Sequence, residues 1–471
     1  MGKIKFGWSE ELVGKRHGVY PNEEGDRTKA HSEKHWSAIE TLPRDRIKEI
    51  QWVKLQNLIR FAYENSPFYR KKWNEVGVKP KDIKSWDDIY RIPIVTKHDF
   101  GRDQEEHPPY GSAYTSPPST QLKFWMTSGT TRKPRLWCET KEDWENGTYL
   151  YMRGLYAHGI RPGWRGFFGF SYPPFIAFWL AHHACEWIGC QVVPRGPIPT
   201  VTWLQMMQNL ANEGVDSWTA GTPTYTMRMI EVAEQAKIDL KELNVKVLHM
   251  AGEPGASVPS TKKYLEEAWG AKAHDMLGSV EVSGPVLYSC AEQAENEQVS
   301  DHISEDYYIV ELVDPKTLEP VEKGKPGLTV ITALGRFGMP AIRFLQGDWL
   351  EISEERCRCG RSFILAKGAV KSRGDDMIIV KGVNIYPSLI EDSVRSIDGL
   401  SPEYRIKVTS TGKAIILVEP KSDVPQSEYD NLIKRLQEDI RSKTTVRMDI
   451  SMEKPGSLPR DEVKSKRIIR E

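Results

Sequence analysis

Across 471 residues the chain carries 65 Lys and Arg against 65 Asp and Glu, so no global charge draws it to nucleic acid or a membrane surface. That length exceeds one compact unit and implies two or more domains, while no run approaches the ~20 apolar residues of a membrane span. Six cysteines in so long a chain do not make a disulfide framework, and the first residues lack the apolar core of a signal peptide, so a reducing cytoplasm is expected.

Residues 1–34 are charged, rich in Gly and Asn and without a period, and read as an extended arm. Over 43–64, Ile47, Ile50, Val53, Leu58, Ile59 and Ala62 recur at helical spacing. Ser66-Pro67 stops that helix, because the residue before proline is pushed out of the α region. Residues 86–92 read as a helix leading into a turn at 93–97. Next comes Thr127-Ser128-Gly129-Thr130-Thr131-Arg132-Lys133-Pro134, the composition of a phosphate-holding loop. Glycine lets the backbone curl so that several N–H groups face one anion; the hydroxyls add donors and Lys133 a mobile positive charge. The run fails the Walker pattern, and taken alone it also suits an ordinary turn.

Residues 166–179 are dense in aromatics, including Phe170 and Tyr172, and suit either a pocket wall or a core helix. His182-His183 reads as helix surface or packing. Helix and strand patterns then alternate: an amphipathic helix over 204–213, a strand over 216–221, a helix over 225–236 and a strand over 245–251. This alternation predicts α/β layers, whose ligands sit at the carboxyl ends of strands, where Gly252-Glu253-Pro254 falls. A junction is expected at 373–377. Beyond it lie a helix over 388–397, strands over 404–408 and 414–418, a helix over 429–440 and a last strand over 446–452, a small α+β unit of domain size.

The ordered series residues 127–134, Ala251-Gly252-Glu253-Pro254, Asp275 through Glu281, Arg343 through Asp348, Arg373 through Pro387 and Leu458 through Arg467 resembles the acyl-adenylate-forming superfamily. Within it, residues 61–72 and Cys357-Arg358-Cys359-Gly360-Arg361 look most like the phenylacetate–CoA ligase group. The likeness runs from about residue 35 to the C-terminus. It implies an arm (1–34), a large multi-layer N-terminal α/β domain (35–373) and a small mobile α+β lid (374–471).

The resemblance also implies roles. Thr127, Ser128, Gly129, Thr130, Thr131 and Lys133 match the β/γ-phosphate loop, with Arg132 where glycine is usual. Gly252, Glu253, Pro254 and Asp275 match nucleotide contacts. Glu281 matches a Mg²⁺ ligand, since a hard cation on phosphates takes carboxylate oxygen. Two departures flank it: Leu277 stands for the usual tyrosine and Val280 for a hydroxyl residue. Asp348 matches the acceptor of the ribose hydroxyls and Arg373 a second nucleotide contact. Asp375 matches a hinge, Lys381 and Gly382 a thiol channel for CoA, and Lys464 the lysine that meets charge at the α-phosphate. Phe170, Tyr172, Gly221, Tyr225 and Gly278 are the expected acid pocket.

Cys290, His302, Cys357 and Cys359 form a soft donor set suited to tetrahedral Zn²⁺. Their other reading is buried thiols beside an unrelated loop pair; the group carries a similar set, which implies a structural rather than catalytic metal. The expected activity is ATP-dependent ligation of an acid, most simply an aryl acid, to CoA. The partners are then a carboxylic acid, ATP with Mg²⁺ and CoA, without nucleic acid or membrane, and the resemblance suggests a homodimer. The alternatives are a CoA-independent adenylyltransferase of the same superfamily and a non-catalytic nucleotide-binding protein.

Overall fold

The computed structural model describes residues 22–127, 135–170, 172–297, 299–370, 372–373, 378–380, 383–409, 413–444, 446–461 and 466–470. The first long helix runs Arg44–Asn65 and buries Ile47, Ile50, Leu55, Leu58, Ile59 and Ala62. Val53, expected on that face, is 50% exposed, and Gln51 and Lys54 are buried in its stead. Gln51 donates to Tyr308 O (3.1 Å) and Lys54 to Asp306 O (2.9 Å), polar partners from far along the chain that no local periodicity reveals. Ser66 ends this helix as expected, but it also caps the next, Pro67–Glu75, with Pro67 at its first position. Residues near the start fold back on the same layer. Glu24 is buried and accepts from Tyr307 Oη (2.9 Å), and the Arg27 guanidinium lies 4.6 Å from the Tyr149 ring centre.

The central sheet has nine strands, in spatial order Ile352–Ser353, Leu365–Ala366, Asp301–Ile303, Gly284–Tyr288, Lys272–Ser279, Val245–Ala251, Ser217–Gly221, Arg165–Phe168 and Gln191–Pro194. The last five are mutually parallel and the first four pair antiparallel, so an α/β core carries an antiparallel extension. Helices Ile176–Ile188, Thr200–Ala211, Pro223–Ala236 and Pro259–Trp269 make the crossovers. From Arg165–Phe168 the chain goes outward to Gln191–Pro194, then back across to Ser217–Gly221. The two adjacent strands thus send their connections in opposite directions, and a crevice opens at their carboxyl ends. Gly169, Phe170 and Gly221 lie there.

A second sheet, Tyr308–Val313, Gly327–Ala333, Phe344–Leu350 and Ser372–Arg373, and a hairpin, Gln121–Met126 with Leu136–Thr140, complete this part. The C-terminal unit has its own core, which includes Ile390, Val394, Ile406, Ile416, Leu432, Leu436 and Ile440. Helices Pro387–Ser396 and Tyr429–Thr444 accompany a sheet ordered Asp449–Met452, Ala414–Pro420, Leu400–Val408, Ile468–Arg470. The strand expected to be last is followed by Ile468–Arg470, which pairs parallel to Leu400–Val408; two isoleucines between arginines give too short a pattern to read alone. Among the described residues, no helix is long and apolar enough to cross a membrane.

Candidate active site

The strand Val245–Ala251 ends at Gly252, whose φ of +93° suits only glycine without strain. The turn that follows hangs on Asp275. Its buried carboxylate accepts from the N–H groups of Gly255 (3.4 Å), Ala256 (2.8 Å) and Ser257 (2.7 Å). Burial holds this carboxyl above the usual carboxylate range, and the hydrogen bonds from Ser257, Ala256 and Gly255 offset part of that rise. Asp275 therefore shapes the loop that presents Glu253 and Pro254. Glu253 accepts from the Thr224 N–H (3.1 Å) in the first turn of Pro223–Ala236, with its carboxyl raised chiefly by desolvation.

Glu281 follows strand Lys272–Ser279 and is 5% exposed, with Lys97 Nζ 3.6 Å from its Oε1. Lys97 was not singled out from sequence, because it lies far upstream in an ordinary charged helix start. Gly278 is forced by the close return of the chain: a Cβ there would stand 2.2 Å from Gly284 O. Beneath the turn lies a buried pair, also invisible in the sequence. Arg336 donates to Val280 O and Met339 O (2.6 Å), and its Nη1 lies 3.3 Å from Glu139 Oε1. Glu139 also accepts from the Ser283 hydroxyl, and burial pushes its carboxyl up to about 7.

Asp348 and Arg373 sit directly opposite each other on antiparallel strands Phe344–Leu350 and Ser372–Arg373. The Thr329 hydroxyl donates to Asp348 O (3.1 Å). Two residues before Asp348, Gln346 Oε1 accepts from the Ser279 hydroxyl (2.9 Å), two residues before Glu281. One hydrogen bond thus joins the two acidic segments. Thr127 donates its N–H to Arg135 O (3.2 Å) and accepts from Arg135 N–H at its hydroxyl (3.3 Å), closing the chain on either side of residues 128–134. Ser128, Gly129, Thr130, Thr131, Arg132, Lys133, Asp375, Lys381, Gly382 and Lys464 lie outside the described residues. The flanks of Lys464 are tied to strand Leu400–Val408: Arg405 donates to Asp461 (2.9 Å), and Arg467 donates to Glu403 (2.8 Å).

Of the expected acid pocket, Phe170 stacks on Phe178 (centres 4.1 Å apart), and Tyr172 has φ +55°, a strained value outside glycine. The Tyr172 hydroxyl is in hydrogen-bond contact with His182 Nδ1 (2.9 Å), so His182 has a partner in this wall and is not merely surface. His183 packs between Trp144 and Trp187. Tyr225 is 2% exposed; a Cβ on Gly169 would stand 2.6 Å from its ring. Tyr225 therefore supports the wall from below. The loop carrying these residues meets the hairpin where Met126 N–H donates to Pro174 O (3.1 Å).

Cys290, His302, Cys357 and Cys359 are all buried, with their donor atoms within 4.8 Å of one another. Cys290 Sγ lies 3.7 Å from Cys357 Sγ, and Cys359 Sγ 3.3 Å from His302 Nε2. Zn–S bonds of ~2.3 Å at tetrahedral angles separate two sulfurs by ~3.8 Å, so the donor set fits such an ion. His302 Nδ1 faces Phe363 O (3.4 Å), which leaves Nε2 for a metal; Gln293 Nε2 and Arg361 N–H donate to Cys357 and Cys359 sulfurs (3.3 and 3.4 Å). The set links the segment after Gly284–Tyr288 to the loop before Leu365–Ala366, at the antiparallel end of the sheet.

Residues 382–471 match the family model of the AMP-binding enzyme C-terminal domain. Phenylacetate-coenzyme A ligase of Thermus thermophilus is 30% identical over 443 residues, which cover 90% of this chain and 96% of that protein. Among solved structures, 2-hydroxyisobutyryl-CoA ligase in the postadenylation state, in complex with 2-HIB-AMP, has a TM-score of 0.87 at 28% identity, covering 98% of this chain and 96% of that one. The same ligase in the thioesterification state, with 2-HIB-AMP and CoA, has a TM-score of 0.70 at 29% identity, covering 95% and 96%. On identity that extends over nearly the whole of both chains, together with the C-terminal domain match, the chain belongs to the phenylacetate–CoA ligase-like group of the acyl-adenylate-forming superfamily.

Proposed function

We propose that the chain is an ATP-dependent acid–CoA ligase. It joins a carboxylate to the α-phosphate of ATP with loss of pyrophosphate, then lets the CoA thiol displace AMP. A carboxylate anion is a poor electrophile and oxide a poor leaving group; the adenylate replaces oxide with AMP. The observation that carries this reading is the Ser279–Gln346 hydrogen bond, which sets Glu281 and Asp348 on neighbouring segments at one end of the sheet. There Asp348, with Arg373 opposite it, holds the ribose hydroxyls. Glu281 offers the carboxylate for Mg²⁺, which when bound neutralises phosphate charge. Lys97 then serves as the counter-charge to Glu281 when the metal is absent.

The loop of Thr127, Ser128, Gly129, Thr130, Thr131 and Lys133 takes the β/γ-phosphates, and Lys464 meets the charge that develops at the α-phosphate. Glu253 and Pro254, on the turn held by Asp275, border the nucleotide. Asp375 is the hinge, and Lys381-Gly382 lines the CoA channel once the C-terminal domain, residues 374–471, has moved. The Phe170–Tyr172 wall favours a flat aryl acid, in line with the phenylacetate ligases among its relatives. The Cys/His set holds a structural Zn²⁺, and its thiol chemistry suits a reducing cytoplasm; a homodimer is the expected assembly.

ATP–pyrophosphate exchange across a panel of aryl and short aliphatic acids tests this reading. Exchange with an aryl acid, reduced at least about 100-fold in Glu281→Ala and Lys464→Ala, is the expected result. AMP release that requires CoA separates a ligase from a CoA-independent adenylyltransferase, and no exchange with any acid overturns the proposal.

A further inference from the structure

Helix Pro259–Trp269 begins at Val258, which has no side-chain acceptor to cap it, so its first N–H groups need partners from elsewhere. They find one in the C-terminal unit. Ser260 N–H donates to Asp392 Oδ1 (3.0 Å), and Lys443 Nζ holds the other oxygen of Asp392 (2.8 Å). A carboxylate at a helix start also meets the positive end of the helix dipole. One residue on, the fully buried Thr261 hydroxyl donates to Glu391 Oε1 (3.0 Å) and accepts from Arg395, which pairs with Glu391. Tyr404 Oη donates to Glu391 Oε2 (3.2 Å), and Arg467, over the Tyr404 ring, pairs with Glu403. At the other end, Arg460 reaches Glu231 (3.5 Å) on helix Pro223–Ala236. Arg460 and Arg467 stand on either side of Lys464. The network therefore runs from the start of helix Pro259–Trp269 to both flanks of the lysine.

We propose that this contact is a latch that holds the C-terminal unit in the arrangement used for adenylation, with Thr261, Glu391 and Asp392 as positioning residues for that half-reaction. The proposal rests on the ligase reading. Two observations support it beyond the contact itself. No side chain of its own unit caps this helix at Val258, and the partner of the Ser260 N–H is a carboxylate of the other unit, so separation exchanges a charge-assisted hydrogen bond at the helix start for water. The whole chain also superposes far better on the postadenylation form of 2-hydroxyisobutyryl-CoA ligase than on its thioesterification form (TM-score 0.87 against 0.70), although these are one enzyme at nearly the same identity. The difference lies in how the parts are arranged, and the latch belongs to the first arrangement. Its release is then a condition for admitting CoA.

The test compares the parent with Thr261→Val, which keeps the shape but removes the hydroxyl, and Asp392→Ala. Each is assayed for ATP–pyrophosphate exchange and, separately, for thioester formation from preformed acyl-adenylate and CoA. Exchange is expected to fall about tenfold, the scale of one lost cap, while thioester formation stays within about twofold. Equal losses in both half-reactions, or no loss in either, overturn the latch. Backbone hydrogen exchange at Ser260 gives an activity-free reading. Its amide is expected to be protected in the parent and to exchange faster in Thr261→Val at unchanged melting temperature; an amide unprotected in the parent, or unaffected by the variant, overturns the latch. A parent without pyrophosphate exchange for any acid would sink the ligase reading, and the hydrogen-exchange result would still decide whether the two units are clasped.

Discussion

Asp275 accepts three backbone N–H groups, whereas Glu139 has one hydroxyl and one guanidinium to offset its burial. Replacing Asp275 by Ala leaves those amides without their buried acceptor, at a cost on the order of 1–3 kcal/mol, read as a lower denaturant midpoint. Asp348→Ala is expected to raise the KM for ATP about tenfold, since its side chain serves the ribose in the proposed reaction. Histidine burial sets a pH dependence. His249 is buried against Tyr151 and His158, and desolvation holds it down to about 3, while an unfolded histidine protonates near 6.5. The neutral ring's contribution is complete above pH 6.5 and is lost as pH falls from 6.5 toward 3. Glu139 works in the opposite sense: raised to about 7, it favours the folded state as pH falls from 7 toward the ordinary carboxylate range. The clean measurement is therefore a difference. Between pH 6 and 5 the stability of His249→Gln should decline less steeply than the parent's, by ~1.4 kcal/mol per pH unit.

At the scale of elements, register and close approach decide what the motifs can do. Asp348 stands opposite Arg373 in the backbone register because Phe344–Leu350 and Ser372–Arg373 pair antiparallel; a slip by one residue would turn Asp348 away from the face it now occupies. Gly278 permits strand Lys272–Ser279 to pass within van der Waals reach of Gly284, ahead of Glu281. Gly278→Ala forces backbone apart and is expected to cost ~1–3 kcal/mol and to reduce pyrophosphate exchange, as a thermal melt and an exchange assay would show. Helix Arg44–Asn65 was readable to within a residue from its apolar spacing, and Val245–Ala251 from its β-rich run. What could not be read was the exchange of Val53 for Gln51 and Lys54 on the buried face. Their partners, Tyr308 O and Asp306 O, come from a distant strand and the turn before it.

For the molecule as a whole, the Cys/His set ties the segment after Gly284–Tyr288 to the loop before Leu365–Ala366, at the antiparallel end of the central sheet. One zinc per chain is the expected metal content, and its removal by a chelator, or Cys290→Ser, is expected to lower the melting temperature by several degrees, since ligand contacts from three separate segments are lost together. Local chemistry sufficed for part of this protein. The alternation of helix and strand and the soft donors Cys290, His302, Cys357 and Cys359 are properties of residue type and spacing, whereas the roles expected of Thr127 through Lys133, Glu281, Asp348 and Lys464 came from the family resemblance of their motifs. Other features depend on segments remote in sequence and only the tertiary structure decided them. Among these are Lys97 beside Glu281, the Glu139–Arg336 pair under the turn, the burial of Tyr225 and the cap that Asp392 gives helix Pro259–Trp269. The physical reason is that periodicity and composition report how a segment buries its own apolar face. A buried charge or an orphan N–H must instead be matched by whichever group the folded chain brings to it.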